Sequence, residues 1–263
     1  MYRFIIFQFL LFCLSHASAE PIDSLLRELK KHPHEDTLRL NILYNIGHNY
    51  SDSDSEQGFL YSKQALELAL KLDEKLKTAK CYLILGLNYH NLEQDSNAIN
   101  AYHKGIEICK TIGERKYQVN LYNNLGNALQ NIARYQESIV AFEEAVKIVK
   151  SSDEHDAKRL YTLRNNESTV YKDLADYNKA LSCLFDAATS AEKLKDSVTL
   201  IDIYTNISIL YRYIPDYPTS LKFAQKSVDF NIVLKKKKKL ASAYMTMANA
   251  LDEMKRPEEA VQY

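Results

Sequence analysis

Seven asparagines are the side chains whose type and spacing most invite a chemical reading. Asn45, Asn124, Asn166 and Asn206 recur at intervals of 79, 42 and 40 residues, and Asn123, Asn127 and Asn165 stand beside them. Asparagine is a mediocre helix former, so its repeated use within helix-favouring sequence calls for a reason. Its amide carries two donors and an acceptor, the complement of the main chain of an extended peptide. The same amide can equally tie one structural element to the next, and spacing alone leaves both roles open. Lys172 and Arg212 lie 40 residues apart. Such cations can receive a carboxylate from a ligand, or simply be solvated charges on a helix.

Other reactive residue types fall into no catalytic pattern. There is no Gly-rich phosphate loop, no nucleophile elbow, no H-E-x-x-H and no motif-placed pair of carboxylates. His32 and His34 flank Pro33, and His48 and His90 are isolated, so no metal site or cofactor is implied. With Cys13 lost in the N-terminal segment read below as a cleaved signal, the remaining Cys81, Cys109 and Cys183 are widely spaced and odd in number, which reads as buried thiols and neither a disulfide framework nor a zinc site. The 34 Lys and Arg equal the 34 Asp and Glu, so no global field favours nucleic acid. The five lysines of 235–239 read as a solvated connection.

The elements that must position these residues follow from an internal period. Gly47, Gly86, Gly126, Ser168, Ser208 and Ala248 form a column of small residues at steps of 39, 40, 42, 40 and 40. Four residues before it stand Leu43, Tyr82, Tyr122, Tyr204 and Tyr244, and three after it Tyr50, Tyr89, Leu129, Tyr171, Tyr211 and Leu251. Ala98, Ser138, Ala180, Ser220 and Ala260 make a second small column about twelve residues on. Tyr122, Leu125, Gly126 and Leu129 follow i, i+3, i+4, i+7, one stripe of a helix, and Ile139, Phe142, Ala145 and Val146 give the stripe of a second. Short turns such as Ala133-Arg134-Tyr135 separate them, so each period is a helix hairpin. With 6 Gly and 5 Pro in 263 residues, the chain lacks the turns of a many-stranded β fold.

The run Leu121-Tyr122-Asn123-Asn124-Leu125-Gly126-Asn127-Ala128, followed by Ala141-Phe142-Glu143-Glu144-Ala145, resembles a tetratricopeptide repeat. The likeness covers about residues 40–263, with a period near 40 that is similar to the long-helix repeats of bacterial regulators and kinesin light chains. It implies an all-α solenoid, wound as a right-handed superhelix, with the first helix of each pair lining a concave groove. In similar repeats, first-helix asparagines clamp the main chain of a bound peptide. The repeats are read as 40–78, 79–118, 119–160, 161–200, 201–240 and an incomplete 241–263, preceded over 20–39 by a leading helix and linker that breaks at Pro33.

The fourth repeat departs from the pattern. Arg164 replaces the aromatic and Glu167 the apolar residue before the small one. Three residues apart on one helical face, they are expected to pair, because either charge buried alone costs several kcal/mol.

Residues 1–19 read as a cleavable secretory signal. Arg3 is followed by an apolar stretch and then by Ala17-Ser18-Ala19, giving Glu20 as the mature start. The last repeat stops one turn into its second helix, as a fragment of a longer protein would. The expectation is a non-catalytic repeat module, exported to the periplasm, that takes a protein or peptide ligand in its groove. It would be the sensing region of a larger bacterial signalling protein, of the sensor histidine kinase or helix-turn-helix regulator kind, with membrane contact only through an anchor beyond Tyr263. The alternative is a stand-alone periplasmic or surface scaffold. Ligand identity and oligomeric state are not legible.

Overall fold

A computed structural model describes residues 20–151 and 157–260; the segment read as a secretory signal, and residues 261–263, lie outside the described residues. Every regular element among the described residues is an α-helix. A leading helix α1 (Glu20–Lys31) is followed by α2 (Thr37–Tyr50), α3 (Ser55–Lys71), α4 (Lys75–Asn91), α5 (Asp95–Ile112), α6 (Arg115–Asn131) and α7 (Tyr135–Lys150). Then come α8 (Ala157–Asp173), α9 (Tyr177–Lys193), α10 (Ser197–Tyr213), α11 (Tyr217–Val233), α12 (Lys237–Glu253) and the short α13 (Pro257–Ala260). The even-numbered helices from α2 onward are the first helices of the repeats, and the odd ones the second. Each first helix begins three or four residues ahead of the repeat boundary read from the sequence. The apolar stripe starts only after the first turn, whereas the cap that starts the helix is polar.

Most helices are 17 residues long and are joined by three-residue turns, so the 40-residue period is built from two near-equal halves. Eight of the described turns share one geometry. Asp73, Glu93, Gly113, Ala133, Ala175, Lys195, Lys235 and Lys255 all take a left-handed conformation, with φ between 51° and 72°. In each case the next residue's N–H bonds back five residues, as from Gln94 to Tyr89, Arg134 to Leu129 and Lys236 to Asn231. This satisfies the last free carbonyls of the helix. Only Gly113 adopts that φ without steric cost. The following helix is often capped by aspartate: Asp54, Asp176, Asp196 and Asp216 accept from the N–H groups of Gln57, Lys179, Thr199 and Thr219.

The chain forms two compact units, one ending at Ala128 and the other beginning at Leu129. In the first unit, α2 packs on α3 and α4 on α5, with α3 against α4 and α1 against α2. Leu40, Leu43, Ala65, Leu66, Leu68, Ala69, Cys81 and Leu85 form one core there. In the second unit, α8–α9, α10–α11 and α12–α13 are hairpins, and consecutive first helices also touch, α8 on α10 and α10 on α12. A core there joins Leu181, Leu184, Ala187 and Ala191 with Leu200, Ile203, Tyr204, Ile207 and Leu210.

The small columns are where the two helices of a hairpin approach most closely. A Cβ at Gly86 would stand 2.3 Å from the ring of Tyr102, which is fully buried. In the fifth repeat two serines do the same work with hydrogen bonds: Ser208 Oγ donates to the Ser220 carbonyl at 2.7 Å, and Ser220 Oγ to the Ser208 carbonyl at 2.8 Å. Burial pushes the Cys81 and Cys183 thiols up to about 12 and that of Cys109 up to about 11, and all three are free.

Candidate peptide-binding face

The asparagine column sits on first helices, and its members have different surroundings. In the first unit Asn45 on α2 is exposed, Asn124 and Asn127 on α6 are half-buried, and none of these three makes a side-chain hydrogen bond among the described residues. Asn123 is half-buried and engaged. The helices α2 and α6 that carry these asparagines also carry aromatic rings set against lysines of α4. The Lys77 ammonium lies 5.1 Å from the Tyr44 ring, and that of Lys80 lies 4.5 Å from Tyr117.

In the second unit the asparagines bond from helix to helix. Asn206 on α10 donates through Nδ2 to Asn165 Oδ1 at 2.5 Å and to the Tyr161 hydroxyl at 3.2 Å, both on α8. Asn166 is half-buried and also engaged; its carbonyl accepts from Thr169 Oγ1 at 2.7 Å. Gln130, in the last turn of α6, reaches α8 in the same way, bonding Thr169 Oγ1 at 3.3 Å and Asp173 Oδ2 at 2.7 Å. Gln130 and Tyr161 were missed from the sequence because Gln130 breaks the charged pattern of Lys172 and Arg212 in its column and Tyr161 belongs to no repeating column. Beside Asn206, a cleft of about 180 Å³ is lined by Tyr161, Ile201, Asp202, Thr205, Lys239 and Ser242. Lys239, from the lysine run, closes its edge with an ion pair to Asp202 at 2.6 Å. That places the end of the run against the first-helix face.

Lys172 and Arg212 occupy equivalent positions in the last turns of α8 and α10. Both are half-buried, and neither has an ion-pair partner among the described residues. The Arg212 Nε is fully buried and bonds nothing.

The irregular fourth repeat builds a second polar constellation. Arg164 Nη1 donates to Glu167 Oε2 at 2.6 Å, as expected, and its Nε donates to Asp186 Oδ2 on α9 at 2.7 Å. Asp186 also accepts from Lys150 at 2.7 Å. Burial raises the Glu167 carboxyl above its ordinary range, although the Arg164 charge opposes the rise. Burial also acts to raise Asp186, but Lys150 and Arg164 together outweigh it and hold that carboxyl low. Clefts of about 510 and 400 Å³ share Lys150 and Arg164 as a common wall. Among the described residues no group of three or more His, Cys, Asp or Glu could hold a metal ion, and no helix is long and apolar enough to cross a membrane.

Two segments match family models, residues 79–111 and 119–151, and each is described as a tetratricopeptide repeat. The chain carries tetratricopeptide repeats. Solved structures resemble it at low identity. BtubC from P. vanneervenii is 14% identical, with a TM-score of 0.69 over 80% of this chain and 88% of that one. A Rap protein complexed with competence and sporulation factor is 16% identical, with a TM-score of 0.60 over 97% and 75%. A signal transduction ATPase with a tetratricopeptide repeat sensor, from Pyrococcus horikoshii, is 17% identical, with a TM-score of 0.73 over 92% and 39%. The chain thus spans about two fifths of that last protein. Comparison with curated protein sequences gave no match. Tetratricopeptide repeats of this architecture make the chain a protein-interaction module.

Proposed function

We propose that the chain binds a peptide segment of a partner along its first-helix faces and catalyses no reaction, serving as the exported sensing region of a bacterial signalling protein. The observation that carries the binding reading is the set of polar side chains on α2 and α6, where Asn45, Asn124 and Asn127 offer amides with no internal partner. Asparagine is a mediocre helix former, and these amides keep two donors and an acceptor available to an external backbone. The Rap neighbour was solved with competence and sporulation factor, and the Pyrococcus neighbour carries its repeats as a sensor. Ligand binding would act by favouring one of two pre-existing arrangements of the array. Export is supported by the character of residues 1–19 alone.

Two measurements test this. Random peptides are selected on the intact chain and on an Asn124→Ala/Asn127→Ala variant. Binders lost by the variant support the reading, and equal recovery from both removes the asparagines from it. Terminal sequencing of the native protein from its source cells addresses export: a mature start at Glu20 supports it, and a retained Met1 overturns it. Peptides found beyond Tyr263 would identify an output region, whereas a terminus at Tyr263 would favour a stand-alone scaffold.

A further inference from the structure

We propose that one end of the second unit, around the α9–α10 and α11–α12 turns, docks on a bilayer surface that carries anionic phospholipid headgroups. The inference uses none of the residues assigned to peptide binding and stands apart from that reading.

The two turns fall at the same end because successive helices run antiparallel and α10 packs on α12. The Lys239–Asp202 ion pair ties the N-terminal halves of those two helices together. Lys193 and Lys195 mark the first turn, and Lys235 and Lys236 the second. All four are exposed, with no ion-pair partner among the described residues. The acids around them are engaged: Glu192 accepts from the Tyr204 hydroxyl, Asp196 from Thr199, Asp202 from Lys239 and Asp229 from Gln225. Stretches 192–202 and 229–239 hold seven lysines against those four acids, so this end is positively charged within a chain that is neutral overall.

Helix stability accounts for only part of this charge. Lys193 suits the last turn of α9. Lys236, however, is the N-cap of α12, where it makes no side-chain cap bond and the helix dipole opposes its charge. Asp196 holds the equivalent place ahead of α10 and caps it.

Exposed aliphatic side chains stand among the lysines. Val233, at 76%, is the most exposed large apolar side chain among the described residues, and Ile232 beside it is 55% exposed. Leu194 and Val198 are exposed on either side of Lys195. Apolar surface left in water in one place marks an interaction site. A lipid interface accepts both parts of the pattern, because aliphatic side chains enter the boundary of headgroup and acyl chain while ammoniums stay with the phosphates. Each lysine at such a surface adds roughly fivefold to partitioning. A nucleic acid would satisfy the lysines and offer the aliphatic side chains no apolar phase.

The chain has no tryptophan, so one placed at Val233 reports on this end. Its emission is recorded in the full-length Val233→Trp chain with vesicles of phosphatidylcholine alone and of equal parts phosphatidylcholine and phosphatidylglycerol. Val140→Trp, on an exposed face of α7, is the comparison site. Thermal melts verify that each variant is folded. The expected result is a shift to shorter wavelength for Val233→Trp on the phosphatidylglycerol vesicles only, with none for Val140→Trp. Adding Lys193→Gln, Lys195→Gln, Lys235→Gln and Lys236→Gln should weaken that binding at least about tenfold. No shift for Val233→Trp, equal shifts at the two sites or on the two vesicles, or undiminished binding without the lysines would each overturn the docking surface. A DNA duplex bound through the same lysines, with no emission shift on vesicles, would overturn it in favour of a nucleic acid.

Discussion

Arg164 and Glu167 meet at 2.6 Å one turn apart on α8, at two positions that other repeats give to apolar or aromatic residues. Glu167 is 2% exposed, and its partner is 18% exposed and shared with Asp186. The pair is thus asymmetric: Arg164 has a second acid to turn to, whereas Glu167 depends on Arg164 for its counter-charge. Arg164→Leu, which strands Glu167, should cost ~3–5 kcal/mol, and Glu167→Leu, which leaves Arg164 to Asp186, should cost less. The double change Arg164→Tyr/Glu167→Leu restores the repeat pattern and should be near neutral or stabilising. Urea denaturation of the three variants checks the order. A double variant as unstable as Arg164→Leu would contradict it.

The same pair gives a pH dependence with a defined sign. The Glu167 carboxyl is raised above its unfolded value of 4.5, so the folded state holds its proton more tightly. Its contribution is most favourable below 4.5 and is lost as pH rises through the raised value. Asp186 is lowered below 3.8, so its contribution is complete above 3.8 and is lost as pH falls through the lowered value. Stability curves of Glu167→Gln and Asp186→Asn, each subtracted from the wild type, should therefore slope in opposite directions within those two windows.

Left-handed turn residues offer a stabilisation that touches no contact. Lys195 is exposed and holds φ 56°, and its helix end is closed by the Asp196 N–H bonding the Ala191 carbonyl at 2.9 Å. Lys195→Gly should relieve about 1 kcal/mol of steric strain, and Gly113→Ala, at φ 72°, should impose a similar penalty. A melting temperature that falls for the first or rises for the second would refute the account.

Asn206 separates the structural role of an asparagine from a binding role. Removing its bonds to Asn165 and Tyr161 with Asn206→Ala should cost about 1 kcal/mol or more. A double-mutant cycle with Asn165→Ala should show coupling, while Asn45→Ala, at an exposed site, should leave stability unchanged.

Buried thiols predict chemical silence. With Cys81 and Cys183 pushed up to about 12, iodoacetamide at neutral pH should leave Cys81, Cys109 and Cys183 unmodified in the native chain and should label them once urea unfolds it. Rapid native labelling would mean that the hairpins open far more often than their burial implies.

The repeat architecture was legible because its causes are local. A small residue such as Gly86 marks a close approach whatever its neighbours are, and it recurs with the period of the hairpin. The Arg164–Glu167 contact was legible for the same reason, since residues three apart on a helix face one another by geometry alone. What tertiary structure decided are the relationships across helices. Asp186 as the second partner of Arg164, the Asn206–Asn165 tie and the isolation of Arg212 depend on which side chains face each other from elements 20 to 40 residues apart. The seven asparagines looked alike in sequence because a residue's type fixes how many hydrogen bonds it can make. Only the packing of neighbouring helices fixes which of those bonds are already used, and it uses them on α8 and α10 while leaving Asn45, Asn124 and Asn127 open.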